Sequence, residues 1–154
     1  MTAIQDLLPR NHCYGCGKDN PKGMQIKSHW DGDETVCVYT PRPEQCAGPK
    51  QYLYGGAIAS LIDCHSVGTA IANYYRLEGR QPGDGEEIWC VTGKLSVNYL
   101  APTPIDHDVT LRATIEECHE RKTVLRCRVY SGETQTAEGE VIAIRVPPSW
   151  RNSA

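Results

Sequence analysis

Over residues 54–73 the chain presents apolar side chains in almost every direction of a helical wheel. Ala57, Ile58, Ala59, Leu61, Ile62, Cys64, Val67, Ala70 and Ile71 leave nearly no polar side, and no proline interrupts the run. A helix apolar all round belongs inside a protein. With Asp63 and His65 in its middle, this one is too short and too interrupted to cross a membrane. Around it the hydrophobic period changes to two. Residues 24–30 alternate as a strand, Asp31, Gly32 and Asp33 turn, and residues 34–40 alternate again, with Val36, Val38 and Thr40 set against Cys37 and Tyr39. Residues 41–53 form a loop rich in proline, the helix is expected to end near Tyr75, and residues 79–85 break the chain with glycines. Four strands then follow without another helix, over residues 88–99, 109–119, 123–131 and 136–146. Each is about twice the usual strand length of about 5–6 residues. Long strands after one apolar helix predict an α+β domain, an antiparallel sheet curled around that helix. Residues 1–154 are expected to form a single domain, with 1–23 an irregular arm punctuated by Pro9, Gly15, Gly17, Pro21 and Gly23.

Charge and composition narrow the function. A net charge of -3 on 154 residues gives no electrostatic reason to expect nucleic acid or an anionic membrane surface as partner. Residues 1–10 hold no apolar run of the signal-peptide kind, so a cytoplasmic location is expected. Of the eight cysteines, Cys37, Cys64, Cys90 and Cys127 sit inside apolar patterns, where free thiols behave as small hydrophobes. Reduced cysteines are the expectation.

Three segments and the element order carry a resemblance. The segments are Gly55-Gly56-Ala57 followed by Asp63 and Gly68, the stretch Thr92 to Pro102 (TGKLSVNYLAP), and the leader Cys13 to Met24 (CYGCGKDNPKGM). The first resembles the signature that opens the central helix in hotdog-fold acyl-CoA thioesterases of the phenylacetate-pathway (PaaI-like) type. The second is similar to the strand that follows that helix, and the third to a leader found in a subset of those enzymes. This resemblance implies a hotdog fold, a curved antiparallel sheet of about six strands wrapped around a central buried helix. It also implies hydrolysis of an acyl- or aroyl-CoA thioester to free acid and CoA, with no metal or other cofactor, by a homodimer or a dimer of dimers. One position departs: the residue before the glycine pair is usually histidine in the family and is Tyr54 here.

Thioester hydrolysis needs something to hold the carbonyl oxygen as charge develops and something to attack or activate water. The first turn after Gly55 and Gly56 offers unpaired N–H groups at the positive end of the helix dipole, and glycine lets an acyl group approach the backbone closely. A carboxylate in a buried helix is costly unless paired or used, which makes Asp63 the candidate nucleophile or general base. Asp63 lies seven residues beyond Gly56, about 10 Å further along the axis, so one carbonyl cannot touch both groups of a single helix. Two antiparallel copies of the helix could bring them together, which favours a site shared between subunits. Thr92 stands where relatives tend to carry a water-orienting hydroxyl, and Tyr54 and Ile58 are candidate substrate-binding residues. The plainer readings stay open: a tight turn for the glycines, a satisfied carboxylate for Asp63, an ordinary strand threonine for Thr92.

Other groups draw weaker expectations. His65 points about 200° away from Asp63 around the helix, so it reads as a core or interface residue. Cys64 has no cationic neighbour in sequence to make it a nucleophile. Cys13 and Cys16 have zinc-like spacing beside His12, but a structural zinc needs four ligands; Cys46 could be a third and no clean fourth is evident. A glycine-rich turn beside the substrate mouth is the expected role, with no metal. The rivals to a thioesterase are a non-catalytic acyl-CoA or lipid-binding hotdog module, motivated by Tyr54, and, ranked last, a hydratase or dehydratase of enoyl or hydroxyacyl thioesters.

Overall fold

The apolar run becomes helix α2, Gly55–Leu77. Tyr54 is extended (φ -72°, ψ 151°) and lets the helix begin at the glycine pair. The helix ends where the Glu78 N–H turns back to the Tyr75 and Arg76 carbonyls, followed by Gly79 in the left-handed region. In this computed structural model, which describes residues 1–152, α2 packs across one face of a six-stranded sheet. The strands are β1 (His29–Asp31), β2 (Glu34–Tyr39), β3 (Trp89–Tyr99), β4 (Val109–Cys118), β5 (Lys122–Ser131) and β6 (Thr134–Val146). Their order is β1-β2-β4-β5-β6-β3, every neighbouring pair antiparallel. This is the hotdog arrangement, a curved sheet wrapping one long helix.

Burial follows the two periods. Along the first half of α2, Ala57, Leu61 and Ile62 meet Leu111, Val129 and Val141 of the sheet. Along the second half, Ile71 and Tyr75 meet Cys90, Leu125 and Ala143, with Leu8 of the arm closing that cluster. Each of these leucine, isoleucine and valine side chains removed from water contributes on the order of 1.5–3 kcal/mol. Strand β3 lies at one border of the sheet, bonded to β6 on one side only, and residues 92–96 and 98–100 are exposed.

Two segments differ from the sequence expectation. Of residues 24–30, only His29 and Trp30 enter a strand, β1, which runs on to Asp31. Gln25 adopts φ 59°, which no continuous strand tolerates. The segment instead bonds to the arm, Met24 N to the Tyr14 carbonyl at 2.7 Å and Ile26 N to the Gly15 carbonyl at 2.9 Å. The alternation survives, with Met24, Ile26 and Ser28 buried, but its partner is a loop rather than the sheet. The arm itself contains a short helix α1 (Ile4–Leu7), whose buried Gln5 exchanges two hydrogen bonds with Ser28 at 2.7 and 2.8 Å.

His65 is a fully buried titratable group of α2. Its Nδ1 pairs with the Ser28 hydroxyl at 2.7 Å and its Nε2 with the Thr35 hydroxyl at 3.2 Å, and Thr35 in turn bonds Thr69 at 2.6 Å. Burial pushes the imidazole down from 6.5 to about 4, partly offset by its bond to the Thr35 carbonyl. The unfolded chain thus takes up a proton below pH 6.5 that the folded chain refuses until about pH 4. The stability His65 contributes is complete above pH 6.5 and is lost as pH falls toward 4, at about 1.4 kcal/mol per unit. Urea unfolding at pH 7 and 4.5 should therefore show a wild-type loss roughly 2–3 kcal/mol larger than that of His65→Gln. Equal losses would mean that His65 is not held neutral in the core.

Candidate active site

The start of α2 is built for access. Gly55 and Gly56 are exposed, and Tyr54 makes no side-chain cap, so the first N–H groups at the electropositive end carry no intrahelical partner. A side chain at 56 would meet the Tyr54 ring at 2.4 Å, so only glycine lets that ring lie over the first turn. From the far end of β3, the Tyr99 hydroxyl donates to the Gly55 carbonyl at 2.7 Å and ties the helix start to the border strand. Tyr54 is 44% exposed at this mouth, whereas Ile58 is 3% exposed and packs into the core beneath it.

Two turns further on, Asp63 is half-buried, not sealed in the core as the surrounding apolar run suggested. It faces the gap between α2 and β3, where the Thr92 hydroxyl donates to its Oδ1 at 2.6 Å. Burial raises the carboxyl above its ordinary range; the Thr92 bond opposes this and the nearby Cys13 thiol group adds to it. The pair opens on a cavity of about 240 Å³ whose walls include Val67, Ile71, Trp89 and Val91. Thr92 sits beside the register shift at Gly93, where the pairing of β3 with β6 slips by one residue, from Thr92 opposite Ala143 to Lys94 opposite Ile142.

Within one chain, Asp63 and Thr92 are joined, while Gly55, Gly56 and Tyr54 stand about 10 Å away along the axis. His65, two residues past Asp63, faces the opposite side toward Ser28 and Thr35. Sequence reasoning missed Tyr99, whose hydroxyl anchors the helix start although it lies within the quoted strand motif. It also grouped Cys64 with the core and offered Cys46 as partner to Cys13 and Cys16. Cys46 instead lies in an isolated bridge to Leu53, and Cys64 is the thiol that meets the leader. Nothing local signals a contact across 51 residues.

A family model described as the thioesterase superfamily matches residues 50–138, the span holding the helix start, Asp63 and β3. The chain belongs to the thioesterase superfamily. Among solved structures, a thioesterase superfamily protein from Shewanella loihica PV-4 is 34% identical, with a TM-score of 0.68 over 90% of this chain and 96% of that one. The PaaI protein from the phenylacetic acid degradation operon of E. coli, 16% identical at a TM-score of 0.63 over 80% of this chain and 81% of that one, shares the fold. The acyl-coenzyme A thioesterase THEM4 of Xenopus laevis is 27% identical over 109 residues, 71% of this chain. The chain spans 43% of the length of that relative.

Proposed function

We propose that this superfamily member is an acyl-CoA thioesterase that works as a homodimer with active sites shared between subunits. The observation that carries the reading is the Asp63–Thr92 pair on an accessible cavity, beside a strand edge left open. Asp63 accepts a proton from water as the water oxygen bonds to the thioester carbonyl carbon; the C–S bond then breaks and CoA leaves as thiolate, which takes up a proton. Thr92 orients the carboxylate. The oxyanion is held by N–H groups at Gly55 and Gly56 of the partner, because those of the same chain lie too far along the helix. The THEM4 likeness, an acyl-CoA thioesterase by name, supports the substrate class.

Strand β3 supports the assembly. Its 11 residues leave one edge of backbone donors and acceptors open, and Tyr54, Leu95, Tyr99 and Leu100 are exposed beside it. Proteins normally cover such an edge. Antiparallel pairing of β3 with its two-fold copy would cover it and set the two α2 helices antiparallel. A cytoplasmic setting suits the eight cysteines, and among the described residues no helix is long and apolar enough to cross a membrane.

The test is thiol release from a panel of short, long and aromatic acyl-CoAs. Turnover of at least one supports the reading; thermal stabilisation by acyl-CoA without turnover would replace it with a binding module, the role that Tyr54 at the mouth favours. Within the enzyme reading, Thr92→Val removes the 2.6 Å bond to Asp63 and should lower kcat about tenfold with little change in KM. An unchanged kcat would make Thr92 a bystander.

A further inference from the structure

The leader was expected to form a glycine-rich turn, and it does, but that turn presents its sulfurs to the helix. The Gly17 N–H donates to the Cys13 carbonyl at 2.8 Å, and the Cys13 N–H donates to the Asn11 side chain at 3.2 Å. The Asn11 side-chain amide reaches Cys16 Sγ at 3.8 Å. From α2, Cys64 completes a group of three sulfurs that all lie within 4.8 Å of one another. The approach is close enough that a side chain at 15 would come 2.3 Å from Cys64 Sγ, so glycine there is what admits the third sulfur.

We propose that Cys13, Cys16 and Cys64 form a tetrahedral site for a thiolate-binding divalent metal, zinc in class, with its fourth position open to the cavity beside Asp63. Two sulfurs bound at about 2.3 Å to one tetrahedral zinc lie about 3.8 Å apart. Cys13 Sγ and Cys64 Sγ lie 3.8 Å apart. A disulfide would need about 2.05 Å, far inside that separation. The thiolate is the form of each sulfur that binds metal. Three soft sulfur donors select zinc over magnesium or calcium, which take oxygen. Three protein ligands leave one position for water or an incoming ligand, and all three cysteines line the same cavity as Asp63 and Thr92. Binding releases the three thiol protons to solvent. The metal staples the arm to α2 one residue from Asp63, and so fixes one wall of the cavity. This goes beyond the hydrolase reading and stands or falls without it.

The experiment uses the full chain, reduced, stripped of metal and titrated with cobalt(II). Expected is about one cobalt per chain, with thiolate-to-cobalt charge-transfer absorption and the intense visible bands of tetrahedral cobalt, both displaced by zinc. Cys64→Ser should weaken binding by at least about 100-fold, beyond the 10–100-fold typical of losing an outer-shell partner. Cys13→Ser, at an exposed position, carries the same expectation should Cys64→Ser fail to fold. Cys46→Ser, outside the cluster, should bind as wild type. Absent charge-transfer bands, undiminished binding in the serine variants, or a Cys13–Cys64 disulfide in protein that binds no cobalt would each overturn the site.

Discussion

Asp63→Asn should lower acyl-CoA hydrolysis on the order of 10²–10⁴-fold while leaving fold and oligomeric state unchanged. Asparagine matches aspartate in shape and can still accept the Thr92 hydroxyl through its Oδ1, so the 2.6 Å bond to β3 persists. What it loses is the ability to take a proton from water or to attack as a carboxylate. The loss should fall on kcat, since Asp63 acts on the reacting atoms rather than on the remote parts of the thioester. Asp63 is half-buried, so the substitution leaves no unpaired charge in the core and the folded state should tolerate it. A variant within about threefold of wild type would remove Asp63 from the reaction.

The second large effect is expected at the start of the helix. Gly55→Pro should reduce kcat on the order of 10²–10³-fold, the usual cost of losing one oxyanion donor. Proline is tolerated at the first helical position, and Tyr54 already has the extended conformation that a residue before proline requires. The substitution thus deletes one N–H without unmaking α2. Gly55→Ala is the control: it keeps the N–H and adds only a methyl group 3.3 Å from the Tyr99 hydroxyl, the movable end of an exposed side chain. Alanine should cost clearly less than proline. Equal losses would assign Gly55 to packing against Tyr99 instead of carbonyl polarisation.

Much of this architecture was legible in the chain because two hydrophobic periods are unusually clean. A run apolar on all sides has one place to go, and the long alternating segments could only wrap it, so α2 and β3 to β6 fall close to their expected bounds. Residues 24–28 show the limit of that logic. Their alternation reports burial of Met24 and Ile26 correctly, yet period alone does not say whether a sheet or a loop supplies the hydrogen bonds. The depth of Asp63 was misjudged for a related reason. A helix apolar nearly all round still has a side that meets a gap, and Asp63 faces the space between α2 and β3. Cys64 shows the third limit, since its neighbours in sequence are apolar and its neighbours in space come from the leader.

The shared site is tested most directly by mixing two inactive variants. Asp63→Asn and Gly55→Pro protomers, each inactive alone, are refolded together in equal amounts and assayed for acyl-CoA hydrolysis. If the helix start of one subunit serves the carboxylate of the other, each mixed dimer holds one intact site, and random pairing should restore about a quarter of wild-type activity. Activity no greater than the sum of the two parents, in a mixture shown to contain mixed dimers, would contradict a site shared across the subunits.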